Sequence, residues 1–65
     1  MADNLTNVKK IIDKLTIDQH SILSEKVFNL AAELGIGDNL VQDCLNQLRE
    51  DNYIAMPMPS IVKRI

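Results

Sequence analysis

Sixty-five residues make one domain at most, and a chain this short buries only about 60% of its unfolded surface, so one core must use nearly every apolar residue. A hydrophobic content of 46% is ordinary for a globular domain and argues against disorder, and a net charge of −2 gives no global pull toward nucleic acid. The single Cys44 and single His20 exclude an internal disulfide and a cysteine- or histidine-rich metal site, and they fit a reducing cytosol.

In chain order, residues 1–3 read as a tail. Leu5, Val8, Ile11, Ile12 and Leu15 then recur at helical spacing and predict a first helix over 4–15. Asp3 or Asn4 is placed to cap it, and Lys9, Lys10, Asp13 and Lys14 lie off or at the edge of the apolar face. Residues 16–19 break the period, and His20–Leu23 is expected as a brief strand. Ser24 is a good cap for a second helix over 24–34, with Glu25 in its first turn. Its apolar face is Val27, Leu30, Ala31 and Leu34, with Phe28 beside it. Gly35 is the expected left-handed stop, and Ile36 the apolar contact that follows such a stop.

The turn from Gly35 to Asp38 is short and joins two amphipathic patterns, which is the sequence form of a helix-turn-helix. Asp38 is placed to cap a third helix over 38–51, whose buried stripe is Leu40 or Val41, then Cys44, Leu45 and Leu48. Asn52 stands where a left-handed terminator belongs. Tyr53 to Met56 has strand composition, and Tyr53 is expected in the core because the chain has only two aromatics. Pro57 and Pro59 cannot donate ladder hydrogen bonds and so mark a strand end and a turn over 57–60. Ile61–Ile65 is the return strand, and 53–65 together form a short wing. The expected fold is a single α+β winged helix-turn-helix over 1–65, in the order α1-β1-α2-α3-β2-β3.

The run from Leu48 to Ile54, followed by Met56-Pro57-Met58-Pro59 and Val62-Lys63-Arg64-Ile65, resembles the end of archaeal minichromosome maintenance (MCM) replicative helicases. Ile11 to Leu15 and Glu33 to Ile36 sit at matching separations, so the resemblance covers about Val8 to Ile65. It departs from that family's commoner pattern at Asn52 and Ser60. The resemblance implies a C-terminal winged-helix domain whose ATP-dependent motor lies elsewhere in the parent protein. Its partners would be the helicase motor domain or another replication protein, and it would be nucleoid-associated in the cytoplasm.

Charge shapes the functional expectation. From Asp38 to Asp51 the chain has four acids (Asp38, Asp43, Glu50, Asp51) against one base, Arg49, a net charge of −3. Phosphates repel such a helix, and it offers no gain from counterion release. Its amide residues Asn39, Gln42, Asn46 and Gln47 are therefore expected as solvated positions. Weak contact with a nucleic-acid backbone falls to Lys9, Lys10, Lys14, Lys63 and Arg64, with Lys26 a further base on helix 2. Protein contact falls to Met56, Met58, Gln42 and Asn46, since methionines on a short wing suit a flexible apolar tip.

No catalytic residue, cofactor site or metal site is expected. Cys44 lies on an apolar stripe, His20 sits in a loop or strand edge, and Asp13, Asp18, Glu25 and Glu33 lack calcium-binding spacing. There is no phosphate-binding glycine loop, no apolar run of membrane-spanning length and no signal-peptide pattern. The expectation is a non-catalytic accessory domain, monomeric in isolation, that acts by protein contact. The alternatives are a free-standing winged-helix transcription regulator, which would be dimeric, and a docking domain of another replication or transcription complex.

Overall fold

The first helix, α1 (Asn4–Leu15), begins after Asp3, whose own backbone is extended. The Asp3 carboxylate accepts from the Leu5 N–H at 3.0 Å and from the Thr6 hydroxyl at 3.1 Å. Asp3 is thus the cap of α1 and not part of a tail, because its short acceptor meets N–H groups that the helix itself leaves unpaired. The computed structural model describes residues 3–65, so Met1 and Ala2, the rest of the expected tail, lie outside the described residues. At the other end, the Thr16 N–H and hydroxyl both donate to the Ile12 carbonyl, at 2.9 and 2.7 Å.

Strand β1 (Ser21–Leu23) passes into α2 (Ser24–Glu33) with no intervening loop. The last strand residue, Leu23, therefore occupies the cap position, and no side chain caps this helix. Ser24, expected as the cap, is buried inside the first turn instead. Its N–H donates to the Ser60 carbonyl at 2.9 Å and its hydroxyl to the Pro59 carbonyl at 3.2 Å. The start of α2 is thereby tied to the far end of the chain.

The helix ends in a paired cap. The Ile36 N–H donates to the Ala31 carbonyl, and the Gly35 N–H to the Ala32 carbonyl. Gly35 has φ +80°, and nothing crowds the position its Cβ would take, so conformation and not space requires glycine there. Ile36 folds back and is buried, whereas Leu34 is 61% exposed. Leu34 sits at the cap, where the chain leaves the helix, and Ile36 fills the place that helical spacing assigned to it.

Helix α3 (Asp38–Glu50) is capped at its start by Gly37, which leaves Asp38 in the first turn, where its charge meets the positive end of the helix dipole. Val41, Cys44, Leu45 and Leu48 form the buried stripe, and Leu40 is turned outward. Both α2 and α3 end one residue before the expected bounds, because Leu34 and Asp51 serve as C-caps. The cap of α2 is repeated here. The Tyr53 N–H donates to the Leu48 carbonyl, the Asn52 N–H to the Arg49 carbonyl, and Asn52 has φ +60°.

Strands β2 (Ile54–Met58) and β3 (Ile61–Arg64) complete an antiparallel sheet of order β1-β3-β2. Ala55 pairs with Lys63 and Met58 with Ile61, so Met56 and Pro57 together oppose one residue of β3. Pro57 thus lies within a strand and not in the turn, which shrinks to Pro59 and Ser60. The proline is tolerated because β2 is an edge strand and the bulge removes the ladder bond it cannot make.

Three helices and three strands in this order make a small α+β winged helix-turn-helix. Ile22, Ile54 and Val62 close the sheet side of the core against Val8, Ile12, Val27, Val41, Leu45 and Leu48. Burying each such aliphatic side chain stabilises the fold by about 1.5–3 kcal/mol. Tyr53 is only half-buried and packs at the rim of this core, not inside it.

Because Asn52 is left-handed, Asn52→Ala is expected to cost about 1 kcal/mol and Asn52→Gly to be neutral or slightly stabilising. Urea melts of the two variants check this, and an equal loss in both would assign the cost to the asparagine side chain.

Candidate functional site

Two groups expected to meet nucleic acid, Lys9 and Arg64, converge on Tyr53. The Arg64 guanidinium carbon stacks 3.9 Å from the centre of the Tyr53 ring, and the Lys9 ammonium lies 4.8 Å from it. Cations at such positions are held by the negative face of the ring. The Tyr53 hydroxyl donates to the Asp13 Oδ1 at 2.6 Å, and the Arg64 Nε donates to the same oxygen at 3.2 Å. Asp13 and Arg64 form the one ion pair among the described residues. The cluster joins the second half of α1 to the start of the wing and to its last strand residue.

The reason these residues meet lies in the α3 cap. Left-handed Asn52 turns the chain so that Tyr53 leaves the helix beside α1, and β3 then returns Arg64 to the same place through its pairing with Ile54. Arg64 is therefore engaged within the molecule. Lys10 and Lys14 remain exposed, four residues apart on one side of α1. Lys63 is exposed on the outer face of the sheet, opposite in sense to the buried Val62. The five candidate bases are thus divided between a tyrosine clamp, one side of α1 and the outer sheet face.

The four candidate protein contacts are also divided. Gln42 Nε2 donates to Asn46 Oδ1 at 3.2 Å on the solvent side of α3. Asn46 and Met56 share an open groove of about 590 Å³ between α3 and β2, which Arg49, Glu50 and Ile65 also line. Met56 is half-buried and rests on the core, while Met58 is 55% exposed on the outer sheet face. A second groove, of about 260 Å³, runs along β1. His20 is exposed and lines a surface cleft with Asp13, Thr16 and Arg64.

Cys44 is buried on α3, and that burial foremost, with Asp3 and Asp43 adding to it, raises its thiol above the usual 9.0. It stays protonated near neutrality and is a poor nucleophile there. No three His, Cys, Asp or Glu side chains gather as metal ligands among the described residues, and none of the described helices is long and apolar enough to cross a membrane. Comparison with protein-family models, curated proteins and solved structures finds no match to this chain.

The Tyr53 clamp escaped sequence reasoning because its hydrogen bonds span 40 and 51 residues. The available signal was weak: a tyrosine directly after a left-handed turn, with opposite charges at Asp13 and Arg64. The clamp can be read directly, since Tyr53 is the only tyrosine and the chain has no tryptophan. Its hydrogen bond to Asp13 foremost, then burial and the Asp13 charge, raise its pKa above the usual 10.0, with Arg64 opposing. A raised folded pKa means that the clamp's contribution to stability is complete below about pH 10 and is lost as pH rises through the folded value. Ultraviolet titration of the native protein is expected to place ionisation above 10, and Asp13→Ala to return it toward 10. An unshifted midpoint in the unsubstituted protein would mean that the clamp does not form in solution.

Proposed function

We propose that this chain is a non-catalytic accessory winged-helix domain that works by protein contact. The observation that carries the proposal is the chemistry of α3, the helix a winged helix ordinarily presents to DNA. Its segment from Asp38 to Asp51 carries a net charge of −3. Three of its four amides are also engaged along its own surface, Gln42 with Asn46 and Gln47 with Asp51, each bond at 3.2 Å. Reading base edges would break those bonds while bringing carboxylates toward phosphates, and Arg49 alone does not offset that repulsion.

The wing adds little to a nucleic-acid surface. Arg64 is held by Asp13 and Tyr53, which leaves Lys63 as its free base. Lys10 and Lys14 support weak backbone contact through α1. The resemblance to the ends of archaeal MCM helicases supplies the setting we favour: a domain that contacts the helicase motor, or another replication protein, and tunes its activity.

Fluorescence anisotropy with labelled 20-base-pair duplexes of several sequences, at physiological salt, tests the DNA side of this reading. Binding is expected to be weaker than about 10⁻⁴ M and independent of sequence. At low salt, Lys10→Glu with Lys14→Glu should reduce the residual affinity and flatten its salt dependence by about two phosphate contacts. Tight, sequence-dependent binding that is lost in Gln42→Ala with Asn46→Ala would overturn the proposal.

A further inference from the structure

We infer that the free edge of β1 and the groove beside it form a docking site for an extended peptide that alternates apolar and acidic residues. The inference rests on the protein-contact reading and names its surface. Main-chain hydrogen bonding places the edge. The Arg64 N–H donates to the His20 carbonyl at 2.8 Å, and the Ser24 N–H donates to the Ser60 carbonyl at 2.9 Å. Hydrogen-bonded pairs alternate along an antiparallel ladder, so Ile22 is the next residue bonded to β3, and Ser21 and Leu23 turn their N–H groups away from it. β1 is the outermost strand on its side of the sheet. The Leu23 carbonyl is used as the cap of α2, which leaves the Ser21 N–H and C=O and the Leu23 N–H along an open edge.

The side chains beside this edge set the partner's chemistry. Among the described residues, the groove is lined by Gln19, Ser21, Leu23, Lys26 and Ile61 together with Ile22, and by no carboxylate. Leu23 is 47% exposed and pairs with Ile61, which in turn pairs with the exposed Met58. These three form an apolar row across the outer face of the sheet. Lys63 is next on that face, flanked by Ser21 and Ala55. In a chain of net charge −2, apolar surface and free lysines coincide here. The groove between α3 and β2 instead mixes Arg49 with Glu50 and offers no such selection.

Successive residues of an extended peptide point to opposite faces. Paired along β1, one set covers the Leu23–Ile61 row and the other reaches Lys26. Main-chain bonds then supply register, and the apolar-acidic alternation supplies specificity. A second copy of the chain is a poorer occupant. A stable interface buries about 1,200–2,000 Å² in total, far more than a three-residue edge and one small groove provide.

The test is an amide-resolved NMR titration of the ¹⁵N-labelled protein with a capped octapeptide alternating valine and glutamate, beside its valine–lysine counterpart. Saturable shifts are expected at Ser21, Leu23, Lys26 and Ile61 with the glutamate peptide only. Lys26→Glu, at an exposed position that should leave the remaining spectrum unchanged, is expected to weaken that binding about tenfold. Leu23→Ser, likewise at an exposed site, is expected to weaken the glutamate peptide's binding by removing its contact with the apolar row. Equal response to the two peptides, or no response, overturns the inference. Shifts centred on Asn46, Glu50 and Met56 overturn this surface but leave the protein-contact reading standing; tight sequence-specific duplex binding overturns that reading instead.

Discussion

A chain of 65 residues has enough apolar side chains for one core, and that core covers one face of the sheet only. Ile22, Val62 and Ile54 point inward and are sealed by all three helices. Their neighbours Leu23, Ile61, Lys63 and Ala55 must then point outward, because strand side chains alternate. Among the described residues, the outer face of the sheet and the outer edges of β1 and β2 are open.

Two paired caps give the core its shape. At Gly35 and again at Asn52, a left-handed residue turns the last helical turn back on itself and satisfies carbonyls that the helix cannot. The first sets α3 against α2 and buries Ile36. The second starts the wing and aims Tyr53 at α1. The wing is held from its other end by Ser24, whose backbone and hydroxyl both reach the Pro59–Ser60 turn. The hairpin is therefore anchored at its tip to α2 and at its base to α1, which suits a rigid surface better than a mobile arm.

Much of the charge at the base of the wing is engaged within the fold. Arg64 could have served phosphate, but stacking on Tyr53 and pairing with Asp13 use it inside the fold. An exposed ion pair is worth little by itself, about 0–1 kcal/mol. Joined to a ring stack and a phenol hydrogen bond on one carboxylate oxygen, it fixes where the last strand ends. The price is one fewer cation on the wing, beside a helix that is already acidic.

Element type and order were legible from the residues alone, because helical spacing in α1 and α3, the Gly35 stop and the Asn52 terminator are local signals. The acidity of α3 was equally legible, since charge needs no fold to be counted. Local spacing misjudged Leu34, Ser24 and Pro57, where neighbouring segments competed for the same place: Ile36 displaced Leu34, Leu23 took the cap, and a bulge admitted a proline. What only the tertiary structure decided was which charges remain free and which edges stay open. Asp13, Tyr53 and Arg64 are separated by up to 51 residues, and the exposure of β1 depends on β3 lying between it and β2. Contacts at that range are set by how the strands pair and the core closes, which no periodicity along the chain encodes.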